Sequence, residues 1–152
     1  MSLTGILLRT FSEQRAKNMS WDDLTRRLER SAEIVLPRFD TARNIPRHIE
    51  AAKHVIGIER WAQRRLRIAL GEPATMDEYD SYRPESLNDI KALRDEFAST
   101  RRDTLTILRH LHDAGVSLDK TTPHNELGQL TIRGWVLYLT DHAWRETMML
   151  RS

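Results

Sequence analysis

Apolar side chains recur at helical spacing in four segments of the chain. In the first segment, the apolar positions are Trp21, Leu24, Leu28, Ala32, Val35 and Phe39. Steps of three or four residues place side chains on one face of an α-helix. The pattern predicts helices over about residues 20–38, 46–70, 86 or 87 to 115, and 128–151. Because no segment alternates apolar and polar residues as a half-buried strand would, we expect an all-α fold.

Turn residues separate these helices and indicate how they are connected. Pro46 suits the first turn of the second helix, Gly71 follows its end, and Gly115 ends the third helix. Residues 72–85 predict a long ordered loop, which is expected to carry a crossover. The connections after the first and third helices are shorter, so we expect the helices that they join to be neighbours.

The chain is expected to have two parts. Residues 1–19 are predicted to form an N-terminal arm or short helix, and residues 20–152 a four-helix bundle. A chain of 152 residues suits a single hydrophobic core. No apolar run reaches the roughly 20 residues of a membrane helix. Because the first residues also lack the pattern of a secretory signal, we expect a cytoplasmic protein with no membrane partner.

Composition limits the chemistry that is available. The chain contains no cysteine, so any metal site must use His, Asp or Glu side chains. It has 24 basic and 22 acidic residues, a formal net charge of +2. This balance provides no basic surface for nucleic acid, and we expect no nucleic-acid partner.

Two polar residues interrupt the apolar face of the fourth helix. Trp135, Leu139 and Met149 lie within about 60° of His142 on a helical wheel, and so does Glu146. Side chains four residues apart on a helix point in the same direction and can meet one ligand. His54 has a similar position on the second helix, in the apolar stretch between Ala51 and Trp61.

A buried carboxylate needs a partner, because burying it alone costs several kcal/mol. A metal ion held by His54, His142 and Glu146 is one solution, and three protein ligands leave positions free for water or substrate. The alternatives are a hydrogen bond between His142 and Glu146, or an ion pair of Glu146 with Arg47 or Arg65.

The same segments resemble a known family. The run "HVIGIERWAQRRL", which begins at His54, resembles the second helix of DinB/YfiT-like proteins, and "LTIRGWVLYLTDHAWRETMMLR", which begins at Leu130, resembles their last helix. The resemblance implies a four-helix bundle with one long crossover. The family binds a metal ion through three histidines, which correspond here to His54, His142 and Glu146, with a carboxylate in place of the third histidine.

The resemblance also implies an activity. Family members of understood activity include thiol S-transferases and a thiol-dependent isomerase, in which a divalent metal activates a low-molecular-weight thiol. We therefore expect a metal-dependent thiol transferase or hydrolase that acts on a small-molecule substrate, with zinc or nickel as the ion and manganese or iron as alternatives. The alternative is a metal-free, degenerate binding or structural module, linked to stress. Because relatives are often dimers, we expect a homodimer.

Some other residues have two interpretations each. His124 lies in a loop, as an ordinary loop residue or at the mouth of a site. Tyr79 and Tyr82 either overhang the metal or pack within the long loop. His48 is expected at the rim of its helix, and Trp144 is expected to be exposed and available for a dimer contact.

Overall fold

A computed structural model describes residues 2–151. The first predicted part begins at residue 1 and the second ends at residue 152, and these two residues lie outside the described ones. Helices dominate, and the predicted all-α fold is confirmed. The elements are α1 (Leu3–Ala16), α2 (Trp21–Thr41), α3 (Pro46–Ile68), α4 (Ile90–Asp113), β1 (Thr121–His124), β2 (Gly128–Thr131) and α5 (Ile132–Glu146). Short 3₁₀ helices lie at Tyr79–Tyr82 and Thr147–Leu150. No helix in the described residues is long and apolar enough to cross a membrane.

The start of α4 and the region around α5 differ from the sequence prediction. α4 begins only at Ile90, because the side chain of Asp89 caps it by accepting a hydrogen bond from the amide of Ala92. Residues 128–131 pair with β1 in an antiparallel hairpin, so α5 starts later than predicted. The helix also ends at Glu146, which leaves Met149 56% exposed and not on the inner face.

The helices α2, α3, α4 and α5 form a four-helix bundle in which α4 and α5 each contact both α2 and α3. Arg60 of α3 pairs with Glu96 of α4, and Gln63, which comes later in α3, bonds to Thr104, which comes later in α4. These two helices are therefore parallel. Parallel neighbours need a connection that returns along the bundle. Residues 69–89 provide it, which confirms the long crossover.

The expectation that helices joined by short connections are neighbours is wrong. α2 and α3 lie across the diagonal of the bundle although only residues 42–45 join them, and α4 and α5 form the other diagonal. Four extended residues reach about 13 Å. Helices that pack 8–10 Å apart have a diagonal of about the same length. A short connection therefore does not require adjacency.

A buried ion pair between α3 and α4 divides the core. The guanidinium of Arg101 donates to both carboxylate oxygens of Glu59, at 2.6 and 3.0 Å, and also to the carbonyl oxygen of Leu28. The hydroxyl of Thr104 donates to the same carboxylate at 2.8 Å. One apolar cluster lies on each side, the first around Trp61 and Trp135 and the second around Phe39 and Phe97.

Residues 3–16 form a helix that packs against α5 and β2. Arg15 pairs with Asp141 at 2.7 Å, and the Glu13 carboxylate accepts hydrogen bonds from the amide and hydroxyl of Thr131. The helix nevertheless exposes several large apolar side chains, namely Leu3, Leu7, Leu8 and Phe11. The division of the chain after residue 19 stays a prediction.

Candidate metal centre

The antiparallel packing of α3 against α5 brings three potential ligands together. The Nε2 atoms of His54 and His142 are 3.2 Å apart. One ligand atom from each of His54, His142 and Glu146 lies within 4.8 Å of the others. His142 is buried, and the other two side chains are half-buried. The structure thus places the three predicted ligands in one cluster.

The spacing of the two imidazoles suits a shared metal ion. Zinc–nitrogen bonds are about 2.0–2.1 Å long, and two such bonds at a tetrahedral angle separate their nitrogens by about 3.3 Å. The observed distance between the two Nε2 atoms is 3.2 Å. Two nitrogens and a carboxylate oxygen also form a common donor set for zinc, nickel, manganese and iron. The residues present therefore fit a divalent metal ion.

Burial keeps both imidazoles neutral. It lowers the pKa of His142 to about 3, with a further contribution from the nearby His54. Burial also lowers the pKa of His54, although the charge of Glu146 opposes this shift. A neutral imidazole has a free ring nitrogen that can bind a metal. When no metal is bound, one Nε2–H can donate to the other Nε2.

Within residues 2–151, Glu146 makes neither a hydrogen bond to His142 nor an ion pair with Arg47 or Arg65, the alternatives to a metal that the sequence left open. Its carboxylate accepts from the Nε atom of its neighbour Arg145 at 3.1 Å, and this is its ion pair within residues 2–151. Arg65 instead donates to Asp77 in the crossover and to Asn125 in the turn of the hairpin. Because the side chain of Glu146 is 29% exposed, its carboxylate keeps some contact with water.

A cavity of about 420 Å³ opens beside the three ligands. Its walls come from α1, α3, the Tyr79–Tyr82 turn, the hairpin and α5. The apolar part of the wall consists of Leu8, Phe11, Ile58 and Leu127. Cavities that bind small molecules have volumes of about 300–1,000 Å³, apolar walls and a few polar groups. The cluster therefore lies in a space that can hold a small molecule.

The family model of the DinB superfamily matches residues 13–146, which include α2 to α5 and all three potential ligands. The chain belongs to the DinB superfamily. No curated protein and no solved structure matches it. In this DinB protein, the match begins inside α1, seven residues before residue 20, where the bundle is predicted to begin.

The crossover of this DinB bundle contributes one aromatic residue to the site. The ring of Tyr79 lies edge-on to His54, with 5.3 Å between the ring centroids, and lines the cavity. Tyr82 instead donates its hydroxyl to Asp77 within the loop, at 2.6 Å. Tyr79 therefore lies beside the predicted ligands, whereas Tyr82 packs within the long loop.

His124 lies in the wall of the cavity, at the end of β1. Only 6% of it is exposed, and its ring contacts those of Trp61, Trp135 and Tyr138. Its Nδ1 atom accepts hydrogen bonds from the amides of Glu126 and Leu127, both at 3.1 Å. Burial lowers the pKa of His124 to about 4.

The remaining histidines lie outside the cavity. His48 is buried and not at a rim, because its Nδ1 accepts from the amide of Arg43 where the chain enters α3. His110 is exposed on α4, and His112 stacks on Trp21 with ring centroids 5.0 Å apart. Trp144 is 51% exposed, as expected, and the predicted dimer contact stays a prediction.

Sequence reasoning missed several residues of the cavity wall, among them Tyr138 and Phe11. Tyr138 is four positions before His142, so helical spacing alone places it on the same face, where it lies with ring centroids 5.8 Å from His142. Phe11 lies on a helix whose position against α5 the sequence did not predict. No short-range pattern pointed to Phe11.

Proposed function

We propose that this DinB protein binds a divalent metal ion through His54, His142 and Glu146 and is a metal-dependent enzyme of the thiol S-transferase type. The observation that carries the proposal is the pair of Nε2 atoms 3.2 Å apart beside a carboxylate. This cluster borders a cavity of about 420 Å³, where a small-molecule substrate would bind.

A divalent ion bound here would lower the pKa of a coordinated thiol or water and so supply a nucleophile at neutral pH. The chain's own residues hold and shield the reactants. His54 and His142 present neutral nitrogens, and Glu146 adds a negative charge that partly balances the ion. Ile58 and Leu127 exclude water from one side of the cavity.

Zinc and nickel are the proposed ions, with manganese and iron as alternatives, because imidazole suits the first two and a carboxylate is accepted by all four. A low-molecular-weight thiol is the proposed cosubstrate. Its support comes from the resemblance to thiol transferases and from a cavity large enough for a thiol and an acceptor group. We propose no nucleic-acid partner, because the net charge is only +2.

Metal analysis of the purified protein tests the proposal. We expect about one equivalent of metal in the wild-type protein and none in His142→Ala. His110→Ala is the matched control, because His110 is exposed on α4 and outside the cluster. A protein that folds normally, contains no metal and gains no stability from added zinc or nickel would exclude the metal site.

Activity is tested separately. The metal-loaded protein is assayed with a panel of low-molecular-weight thiols and an electrophilic acceptor. We expect thiol consumption above the solution rate, and we expect it to be lost in His142→Ala. If no thiol reacts faster than in solution although the metal is bound, the thiol-transferase assignment is wrong. A metal-dependent hydrolase, tested with ester and amide substrates, is then the next enzyme to examine.

A metal-free binding or structural module is the second candidate, and one observation favours it. The cluster can satisfy its own polar groups, because His54 and His142 can share a hydrogen bond and Glu146 pairs with Arg145. The metal analysis distinguishes the two candidates, since only the enzyme requires the ion.

A further inference from the structure

Tyr138 presents an unpartnered hydroxyl group to the cavity that it lines. This hydroxyl makes no hydrogen bond within residues 2–151, whereas the indole N–H of Trp135, about one turn earlier on α5, donates to Thr122. Tyr138 is half-buried, and its hydroxyl oxygen is accessible to water, in contrast to the Nε2 atom of His124, which the protein encloses. A bound molecule can therefore reach the hydroxyl of Tyr138.

The charges around this phenol show that its hydroxyl faces the cavity. Burial raises the pKa of Tyr138, and the charge of Arg145 opposes this rise. The carboxylates of Glu126 and Glu146 add to it. All three charged side chains line the cavity. Because a phenol carries its proton at neutral pH even in water, Tyr138 offers a hydrogen-bond donor to this space.

The ring of Tyr138 is held by three neighbouring rings. Its centroid lies 4.8 Å from that of His124, 5.7 Å from that of Trp135 and 5.8 Å from that of His142. Tyr79, another tyrosine of the cavity, belongs to the crossover and packs against one ring instead of three. A donor that its surroundings hold in place can stabilise charge without reorganising. Of these two tyrosines, Tyr138 is therefore the better prepared to bind a substrate oxygen.

The charged part of the cavity wall favours an uncharged molecule. Three carboxylates line the cavity, those of Glu126, Asp141 and Glu146, together with one guanidinium, that of Arg145. An anionic group beside Tyr138 would meet this excess of negative charge, and like charges at close range repel. A neutral oxygen such as a carbonyl avoids this repulsion, and the apolar part of the wall suits an apolar body that carries it.

We infer that the Tyr138 hydroxyl donates a hydrogen bond to the carbonyl oxygen of the acceptor substrate, which is an uncharged α,β-unsaturated ketone or aldehyde with an apolar body. The inference rests on the proposed function, which supplies the thiol that attacks this acceptor. Among the electrophiles that react with thiols, unsaturated carbonyl compounds transfer the incoming negative charge to an oxygen, where a fixed donor is most effective. An alkyl halide releases the charge with its halide ion instead.

The reaction balances as an addition. The thiolate sulfur forms a bond to the β-carbon of the acceptor, and the π electrons of the C=C bond move to the carbonyl oxygen, which gives an enolate. The hydroxyl of Tyr138 donates to this oxygen while it carries the charge and keeps its own proton. The α-carbon then takes a proton from water, which replaces the proton that the thiol released, so no oxidant or reductant is required.

Benzylideneacetone, an unsaturated ketone with a phenyl group, tests recognition without any thiol. The chain contains no cysteine, so the protein itself has no thiol that would consume the probe. A hydrogen bond to a carbonyl oxygen lowers its stretching frequency, which isotope-edited infrared spectra of the full chain measure with zinc and with a chelator. We expect a lowered frequency in the wild-type protein in both conditions. In Tyr138→Phe, we expect the frequency to return towards its value in an apolar solvent.

Three observations separate recognition from structure. Tyr82→Phe is the matched control, because Tyr82 donates to Asp77 within the crossover and does not line the cavity, and we expect it to keep the lowered frequency. If Tyr79→Phe loses the lowered frequency and Tyr138→Phe keeps it, the donor is not Tyr138. Because the hydroxyl of Tyr138 has no partner in the protein, Tyr138→Phe should melt at the wild-type temperature, and a clearly lower temperature would indicate a structural role instead.

Kinetics of the zinc-loaded protein with a low-molecular-weight thiol test the same residue during reaction. We expect kcat/KM for benzylideneacetone to fall about 10- to 100-fold in Tyr138→Phe, the range expected for one hydrogen bond to a charged oxygen. Benzyl chloride, from which the charge departs with chloride, should react equally fast with both proteins. Equal kcat/KM values for benzylideneacetone in the two proteins would overturn the role of Tyr138.

The results also distinguish this inference from the proposed function. A carbonyl frequency that is equal in wild-type and Tyr138→Phe proteins, or no binding of benzylideneacetone with or without zinc, would overturn the inference even if thiol transfer to another acceptor is found. A frequency that is lowered through Tyr138 in a protein that consumes no thiol would refute the thiol-transferase proposal and support Tyr138 as the donor to a bound carbonyl.

Discussion

Substitution of Glu146 tests the metal centre with little disturbance of the fold. The side chain of Glu146 is 29% exposed and its partner Arg145 is 64% exposed. Ion pairs this accessible contribute about 0–1 kcal/mol. We therefore expect Glu146→Gln to leave the melting temperature of the metal-free protein almost unchanged, so that any effect appears only when the metal is added.

The expected size of that effect follows from binding linkage. Zinc at 100 times its dissociation constant stabilises the folded protein by about 2.7 kcal/mol. For a domain of this size, 1 kcal/mol corresponds to about 2–4 °C, so the melting temperature should rise by about 5–11 °C. If Glu146→Gln weakens binding tenfold, the gain at the same zinc concentration falls to about 1.4 kcal/mol, or half of the shift. Glu146→His should keep or exceed the wild-type shift, because it supplies a third imidazole.

Differential scanning calorimetry with and without zinc measures these shifts. Glu126→Gln is the control, because Glu126 is an exposed carboxylate that lines the same cavity but is outside the cluster. Equal zinc shifts in wild-type and Glu146→Gln proteins would show that Glu146 is not a ligand. A smaller shift in Glu146→His would lead to the same conclusion.

Three further predictions concern the rest of the molecule. Arg101→Leu leaves the buried carboxylate of Glu59 without its main partner and should lower the free energy of unfolding by about 3–5 kcal/mol in urea denaturation; a loss below about 1 kcal/mol would contradict this. Burial lowers the pKa of His142 to about 3 and the pKa of His124 to about 4 in the folded state, from the ordinary value of 6.5. As the pH falls, these histidines therefore bind protons in the unfolded state before they do so in the folded state. The free energy of unfolding of the metal-free protein should therefore fall by up to about 1.4 kcal/mol per pH unit for each histidine between pH 6.5 and about pH 4. A free energy of unfolding, measured by denaturation, that stays constant over this range would refute the prediction. We also expect a homodimer in sedimentation analysis that Trp144→Ser weakens, whereas a monomeric wild-type protein would exclude the dimer.

Local contacts were predictable from the chain. Ser20 and Asp23 form a capping box at the start of α2, and the sequence alone indicates it because the two residues are only three positions apart. His142 and Glu146 share one face of α5 for a similar reason, since four residues span about one helical turn. Such arrangements depend on backbone geometry alone.

The hairpin shows where this reasoning fails. Each strand has only four residues, and a two-stranded hairpin is marginally stable by itself. It is held by tertiary contacts, including the bond from the indole N–H of Trp135 to the hydroxyl of Thr122 at 2.7 Å and the burial of Leu130. The position of His124 in the cavity depends on this hairpin, so the sequence left its role open.

The amino-acid sequence by itself determined the helices and the placement of His142 and Glu146 on one face, because a helix repeats every 3.6 residues whatever surrounds it. Only the tertiary structure decided that His54 meets this pair, that α2 lies diagonally opposite α3, and that α1 borders the cavity. The relative position of two helices results from many weak side-chain contacts summed over the whole core, and no short stretch of sequence contains that sum.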